Sequence, residues 1–196
     1  VGIIVMALAV LPMLSIGGMQ LFKTESYETP DKVVPKAASF AAGISIVYIT
    51  LTLIWALMLW GAGMPIFDSI AHAMTTLATG GYSTKSESLA AFNSSTIEII
   101  IIFGMLVGSL PFVHYLALTK NGLKNLIKDD QVKLFLTLVL FVVFIMSLYL
   151  SFNNLPYLNA LRLASFNVIS IITGTGFGTS DFNNWGGFPT TILLIL

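Results

Sequence analysis

The sequence contains no cysteine, little charge and only two histidines. Without cysteine, a disulfide framework, a thiolate metal site and a thiol nucleophile are excluded, while the redox compartment stays undetermined. Charged residues are 9% of the 196 positions, nine basic against nine acidic. The net charge is therefore zero, and no electrostatic footprint for nucleic acid or an acidic partner exists. His72 and His114 stand alone, outside any HExxH setting. Paired intramembrane aspartates and a serine nucleophile with a base are missing as well, so an enzyme is not expected. The phosphate-cradling pattern GxxxxGK[ST] is also absent, and Lys85 after Gly80 and Gly81 reads as a solvated lysine.

What fills the chain is apolar: 56% of residues are hydrophobic and the mean hydropathy is +0.91. That is more than a soluble core can hide, which makes lipid the expected solvent. A bilayer core of about 30 Å takes about 20 apolar residues to cross. Such stretches lie at 2–22, 37–60, 96–118 and 132–152, and a partial one starts near Phe188. Glu98 and Lys133 sit near stretch ends, where long side chains reach the headgroups. Residues 66–77 and 157–172 are helix-like but mixed in polarity. At about 1.5 Å per residue the first reaches only about 18 Å and cannot span. The chain opens at Val1 and stops at Leu196 inside apolar runs, with no basic n-region or cleavage site, so a segment of a longer protein is expected.

Lysines set the orientation, because cytoplasmic loops collect basic residues. Lys23, Lys32 and Lys36 share one loop, and Lys120, Lys124, Lys128 and Lys133 another. Residues 61–93 hold only Lys85, and residues 153–187 only Arg162. Two cytoplasmic loops enclose an even number of crossings, so 37–60 and 96–118 cross while 66–77 dips in and returns. The lysines near 121–133 are explained by topology, and Asp68, Glu98 and Asp181 read as interfacial solvating groups. His72 and His114 read as packing or hydrogen-bonding residues.

The unit of span, re-entrant helix, loop and span recurs after about 95 residues, which lays 37–60 over 132–155. Gly81 and Tyr82 then meet Gly176 and Phe177, Thr84 meets Thr179, and Thr75-Thr76 meets Ser170-Ile171. The organisation read from this is a closing span at 1–22, a cytoplasmic loop at 23–36, a complete repeat at 37–118, a second cytoplasmic loop at 119–133, and a truncated repeat at 134–196. Irregular backbone at membrane depth is tolerated only where protein buries it or it lines a watery cavity. The loops Ala78-Thr79-Gly80-Gly81-Tyr82 and Thr173-Gly174-Thr175-Gly176-Phe177 suit a row of inward carbonyls. Glycine admits the required backbone angles, threonine adds hydroxyl oxygens, and together they can replace a cation's water shell. The re-entrant helix ahead of each loop turns its partially negative C-terminal end toward the cation. Pro65 and Asp68 suit the opposite end of the first, and Arg162 suits the second less well.

These loops resemble degenerate forms of the potassium-channel filter TVGYG, keeping the glycine-aromatic pair. Through the runs from Gly2 to Leu14, Gly17-Gly18-Met19-Gln20-Leu21-Phe22 and Ala78-Thr79-Gly80-Gly81-Tyr82-Ser83-Thr84, the chain resembles the Trk/Ktr/HKT superfamily of potassium transporters. Within it, the bacterial TrkH-type uptake subunits are most similar, and the resemblance covers essentially all 196 residues. It implies an all-α integral membrane fold of repeated span, re-entrant pore helix and filter loop, and span around one pore. One repeat is complete here and two are partial. It also implies four repeats in the whole chain, a filter glycine in each (here Gly81 and Gly176), a homodimer, and a cytoplasmic nucleotide-binding regulatory subunit. The implied setting is multi-pass in the cytoplasmic membrane, with potassium as the transported ligand and no cofactor. Where the TrkH-type pattern has a glycine-rich LGGINF-like stretch, this chain has Leu106-Val107-Gly108-Ser109-Leu110-Pro111-Phe112, which leaves the Trk and Ktr branches both open. An alternating-access cation symporter, or another cation channel of the same architecture, is the other reading.

Overall fold

The computed structural model describes residues 33–112, 114–115, 129–153, 155–180 and 185–195. The expected span at 2–22, the lysine-bearing loops at 23–32 and 116–128, and Asp181 lie outside the described residues. Among the described residues all regular structure is helical.

Among the described residues, two helices are long and apolar enough to cross a membrane. Helix α1, Val33–Gly61, has 29 residues and begins four residues ahead of the expected span; its portion Ala42–Gly61 alone meets the requirement. The second long helix, Asp130–Phe152, has 23 residues and rises about 35 Å. It starts at Asp130 because the Asp129 carboxylate accepts from the amides of Gln131 at 2.8 Å and Val132 at 3.3 Å, satisfying donors that a helix start leaves free. Both helices put large apolar side chains outward: Ile46, Ile49, Leu53, Leu57 and Trp60 on the first, Leu134, Leu140, Phe141 and Phe144 on the second. Inward, the second presents Val139, Val142, Val143, Met146, Ser147 and Leu150, the three-and-four spacing of one helix face. A helix apolar on both faces is stable beside lipid.

Helix α2, Ile66–Leu77, packs between α1 and α3, Ser95–Ser109. The long helix Asp130–Phe152 is α4, and it packs against α5, Tyr157–Ile172, which also touches α3. Helix α6, Gly187–Ile195, stands at the expected partial span. Pro65 and Pro156 introduce the short helices α2 and α5, each with φ −54°, and their carbonyls accept from the amides of Ser69 and Ala160 at 2.8 and 2.9 Å. The ring sets φ for helix entry at a place where a proline lacks no needed donor.

Two expectations about the elements themselves are corrected. The stretch 96–118 is not one helix, because α3 ends at Ser109 after 15 residues, about 22 Å, and Leu110 turns extended at φ −74°, ψ 149°. Pro111 is the cause: its ring disfavours helical angles at Leu110, and without an N–H it cannot serve the Val107 carbonyl one turn back. The Tyr115 hydroxyl donates to that carbonyl instead, at 2.7 Å. The uniform shift of 95 residues is the second correction. It holds through the bodies of the short helices, which end at Leu77 and Ile172, and through the loops after them, but Pro65 and Pro156 lie 91 positions apart, and so do the long-helix ends Gly61 and Phe152. Helix α5 has 16 residues against 12 in α2, so one extra turn at its start absorbs the difference.

Glu98 is not an interfacial solvating group. It is 7% exposed on α3, with the Arg162 guanidinium of α5 3.5 Å away, and Arg162 also donates to the Ser95 hydroxyl. The charge that suited the start of α5 poorly is thus answered by the neighbouring repeat. Close approach is set by Gly104 and Gly108 on α3, a GxxxG pair one turn apart. A Cβ on Gly104 would lie 2.4 Å from Nε1 of Trp55, which donates to the Ile100 carbonyl at 3.0 Å. A Cβ on Gly108 would lie 2.9 Å from both the Cα and the carbonyl oxygen of Leu77.

Because those Leu77 atoms are backbone, Gly108→Ala is expected to destabilise the detergent-solubilised protein by about 1–3 kcal/mol, whereas Gly61→Ala, with nothing within 4 Å, leaves the thermal midpoint in place. Equal midpoints for the two variants would contradict the packing. Removing one member of the ion pair, as in Arg162→Met, is expected to cost about 1–3 kcal/mol, and the double change Glu98→Leu/Arg162→Met less than either single change, since no buried charge is then left unpaired. A double-mutant cycle on unfolding midpoints reads this directly.

Candidate functional site

The short helices α2 and α5 end alike, and the loops after them repeat the same backbone path. Ala78 closes α2 at φ −79°, ψ −3°, and Thr173 closes α5 at φ −78°, ψ −8°. The next residue turns left-handed in both, Thr79 at φ 50° and Gly174 at 68°, and so does the third, Gly81 at 64° and Gly176 at 85°. A β-branched residue at positive φ is a local strain of order 1–3 kcal/mol, which the surrounding hydrogen bonds must hold. Those bonds match as well. Ala78 and Thr79 donate to the carbonyls of Met74 and Thr76 at 3.0 and 3.1 Å, and Thr173 and Gly174 to those of Ile169 and Ile171, both at 2.9 Å. The Thr75 hydroxyl donates to the Tyr82 carbonyl at 2.9 Å, and the Ser170 hydroxyl to the Phe177 carbonyl at 2.7 Å. Each loop is thereby pinned at its far end by a hydroxyl on its own helix.

The two loops also meet. A Cβ added to Gly81 would stand 1.8 Å from the Thr175 carbonyl oxygen and 3.2 Å from the Gly176 carbonyl carbon, so only glycine fits. At Gly174 and Gly176 nothing lies within 4 Å of such an atom, and the positive φ is the remaining reason for glycine there. Thr175 is 3% exposed and its hydroxyl shares a hydrogen bond of 2.8 Å with that of Thr173, while the Thr79 hydroxyl donates to the Ala78 carbonyl at 2.8 Å. The aromatic residues part company: Phe177 is buried and Tyr82 is 78% exposed. The structure therefore brings Ala78, Thr79, Gly80, Gly81, Thr173, Gly174, Thr175, Gly176 and Phe177 into one region and leaves the Tyr82 ring outside it. The groups offered there are neutral oxygens. Among the described residues no cluster of three or more His, Cys, Asp or Glu could hold a metal ion. Peptide and hydroxyl oxygens at the partially negative C-terminal ends of two helices are chemistry for a monovalent cation.

Above the loops, His72 is fully buried. Its Nδ1 lies 2.7 Å from the Asp68 carbonyl, which only accepts, so Nδ1 carries a proton, and Nε2 shares a hydrogen bond of 3.0 Å with the Ser83 hydroxyl. The Ser83 oxygen in turn accepts from the Lys85 amide at 3.1 Å. Asn167, its equivalent on α5, donates to the Leu163 carbonyl at 2.9 Å and to the Thr179 and Ser180 hydroxyls, each at 3.4 Å. Asp68 and Lys85 were expected to be solvated singly. Instead the Asp68 side chain is buried, accepts from the Thr84 hydroxyl at 2.6 Å and has the Lys85 ammonium 3.4 Å away. The Thr84 hydrogen bond, opposed by burial and reinforced by Lys85, holds the Asp68 carboxyl below its ordinary range. His114 faces Asp129 at 3.1 Å, linking the end of one repeat to the start of the next.

The hydroxyl pins at Thr75 and Ser170 had a sequence signal, since they coincide under the 95-residue shift. The contact of Arg162 with Glu98 had none, because its partner lies in the other repeat.

Residues 1–196 match the TrkH family, described as cation transport protein. The chain is 38% identical over 198 residues to the Trk system potassium uptake protein TrkH of Salmonella typhimurium, covering 98% of this chain and 41% of that one. It is 37% identical over 188 residues to the Trk system potassium uptake protein TrkI of Halomonas elongata, covering 95% of this chain and 38% of that one. The crystal structure of the potassium transporter TrkH from Vibrio parahaemolyticus superposes with a TM-score of 0.81 at 32% identity, over 99% of this chain and 40% of that chain. The chain thus spans about two fifths of the length of these relatives. With the whole sequence matched and membrane-length apolar helices in place, this membrane protein belongs to the TrkH family of cation transport proteins, a family of transporters and not of enzymes.

Proposed function

We propose that this chain is part of a potassium uptake protein of the cytoplasmic membrane, and that residues 78–82 and 173–177 line its ion path. Carbonyls of Thr79, Gly80, Gly81, Thr175 and Gly176 replace the hydration shell of the passing ion. The observation that carries this reading is the contact of Gly81 with the Thr175 carbonyl, which puts two loops of identical backbone sense side by side. Relatives named as Trk system potassium uptake proteins supply the choice of ion. The domain organisation read above, a homodimer and a cytoplasmic nucleotide-binding regulatory subunit belong to the same proposal.

Rubidium uptake by the full-length protein tests it. Gly81→Asp and Gly176→Asp are expected to reduce uptake at least tenfold and to abolish preference over sodium, with the protein still in the membrane. Intact uptake and preference in both variants would sink the assignment. Thr75→Val and Ser170→Ala free the carbonyls of Tyr82 and Phe177. Each is expected to lower the rubidium to sodium preference about two- to fivefold, the equivalent of one net hydrogen bond, and an unchanged ratio would show that the pins do not bear on the ion.

A further inference from the structure

We propose that His72 is a positioning residue for the glycine loop of the neighbouring repeat: its ring, stacked on Phe177, sets where the Thr175 and Gly176 carbonyls stand and so tunes the preference between potassium and sodium. The inference rests on the reading of the two loops as an ion filter.

His72 belongs to α2 in one repeat and Phe177 follows Gly176 in the next, yet their ring centroids are 5.8 Å apart with planes at 28°, an offset stack. The imidazole cannot swing. Its two nitrogens are fixed by the Asp68 carbonyl and the Ser83 hydroxyl, and Phe92 meets it edge-on at 5.3 Å and 88°. Phe177 is accordingly held at two points, its carbonyl by Ser170 on its own helix and its ring by His72 from the other repeat. Gly176, one bond away, is tied by its amide, which donates to the Ser170 carbonyl at 3.1 Å, and Gly81 closes on its carbonyl carbon. No atom lies within 4 Å of where its own side chain would start, so its carbonyl is set by these contacts and by Phe177, the residue bonded to it. A shift of the Phe177 ring is therefore carried directly to the Gly176 carbonyl.

Internal comparison separates the ring from the rest of His72. Asn167 makes the same two kinds of tie, to the carbonyl four residues back and to hydroxyls of the loop that follows, without any ring. The local tie thus needs only an amide. What the imidazole adds is a flat face toward the neighbouring loop. Tyr82, the counterpart of Phe177, keeps the carbonyl pin from Thr75 but is exposed, so the two loops are restrained differently among the described residues. Selection between ions that differ by a few tenths of an ångström in radius depends on where carbonyl dipoles are held and how stiffly.

The test uses the full-length protein in proteoliposomes, with rubidium-86 uptake competed by sodium. A purely structural role for His72 would change the amount of folded transporter and scale both ions together, leaving their ratio fixed. His72→Asn, which keeps the local tie, is expected to lower the rubidium to sodium ratio about 2- to 10-fold, the equivalent of one aromatic stack. Phe177→Leu is expected to lower it to a similar degree, and the double variant no further than the larger single effect. A wild-type ratio in either single variant, or a double variant that loses the product of the two, overturns the proposal. Where His72→Asn does not reach the membrane, Phe177→Leu reads the same contact from the other repeat and decides by the same outcomes. Gly81→Asp in parallel separates the underlying reading: preference retained there rejects the filter itself, whereas preference lost there and intact in His72→Asn and Phe177→Leu rejects only the role of His72.

Discussion

A carbonyl oxygen that touches a glycine Cα from a different repeat is the contact on which the rest of this arrangement depends. The Thr175 oxygen stands where any side chain on Gly81 would begin, so the two loops share an edge with no room for adjustment. For that edge to form, α2 must end where it does, and α3 must admit α2 closely. Gly108 supplies the second condition, by leaving space for the Leu77 backbone, and the C-terminal turn at Ala78 supplies the first. Side chains at 81, 104 or 108 would separate elements whose polar backbone then has neither water nor partner.

Lipid makes that last point severe, because unpaired peptide groups beside hydrocarbon cost several kcal/mol each. The chain answers with hydroxyl groups at three places where regular helix stops. Tyr115 serves the Val107 carbonyl that Pro111 cannot, and Thr75 and Ser170 serve the carbonyls at the far ends of the two loops. Ionic groups follow the same logic, with Glu98 and Arg162 meeting across repeats and Asp68 held by Thr84 and Lys85. On the reading proposed above, the loop oxygens near Gly81, Thr175 and Gly176 are the ones kept for the ion.

The family to which the chain belongs and its helical, membrane-length character were both readable from residue order, since a run of twenty apolar residues and a glycine-aromatic pair are local patterns. Helix ends were less so. The break of α3 at Leu110 was written in Pro111, but hydropathy alone runs through it to Leu118. The 95-residue shift was read as uniform because the loops align, and only the extra turn of α5 shows that the alignment upstream is 91.

Sequence by itself determined which segments are apolar enough to prefer lipid, which are too short to span it, and that Gly81, Gly174 and Gly176 admit a left-handed turn, because each of these depends on a few consecutive residues. Tertiary structure alone decided that Gly81 abuts Thr175, that His72 stacks on Phe177, and that Arg162 answers Glu98. Each of those pairs joins residues about 64 to 105 positions apart. No local pattern encodes such distances; they are fixed only when helices pack ridge against groove and bring one repeat's loop to the next repeat's helix.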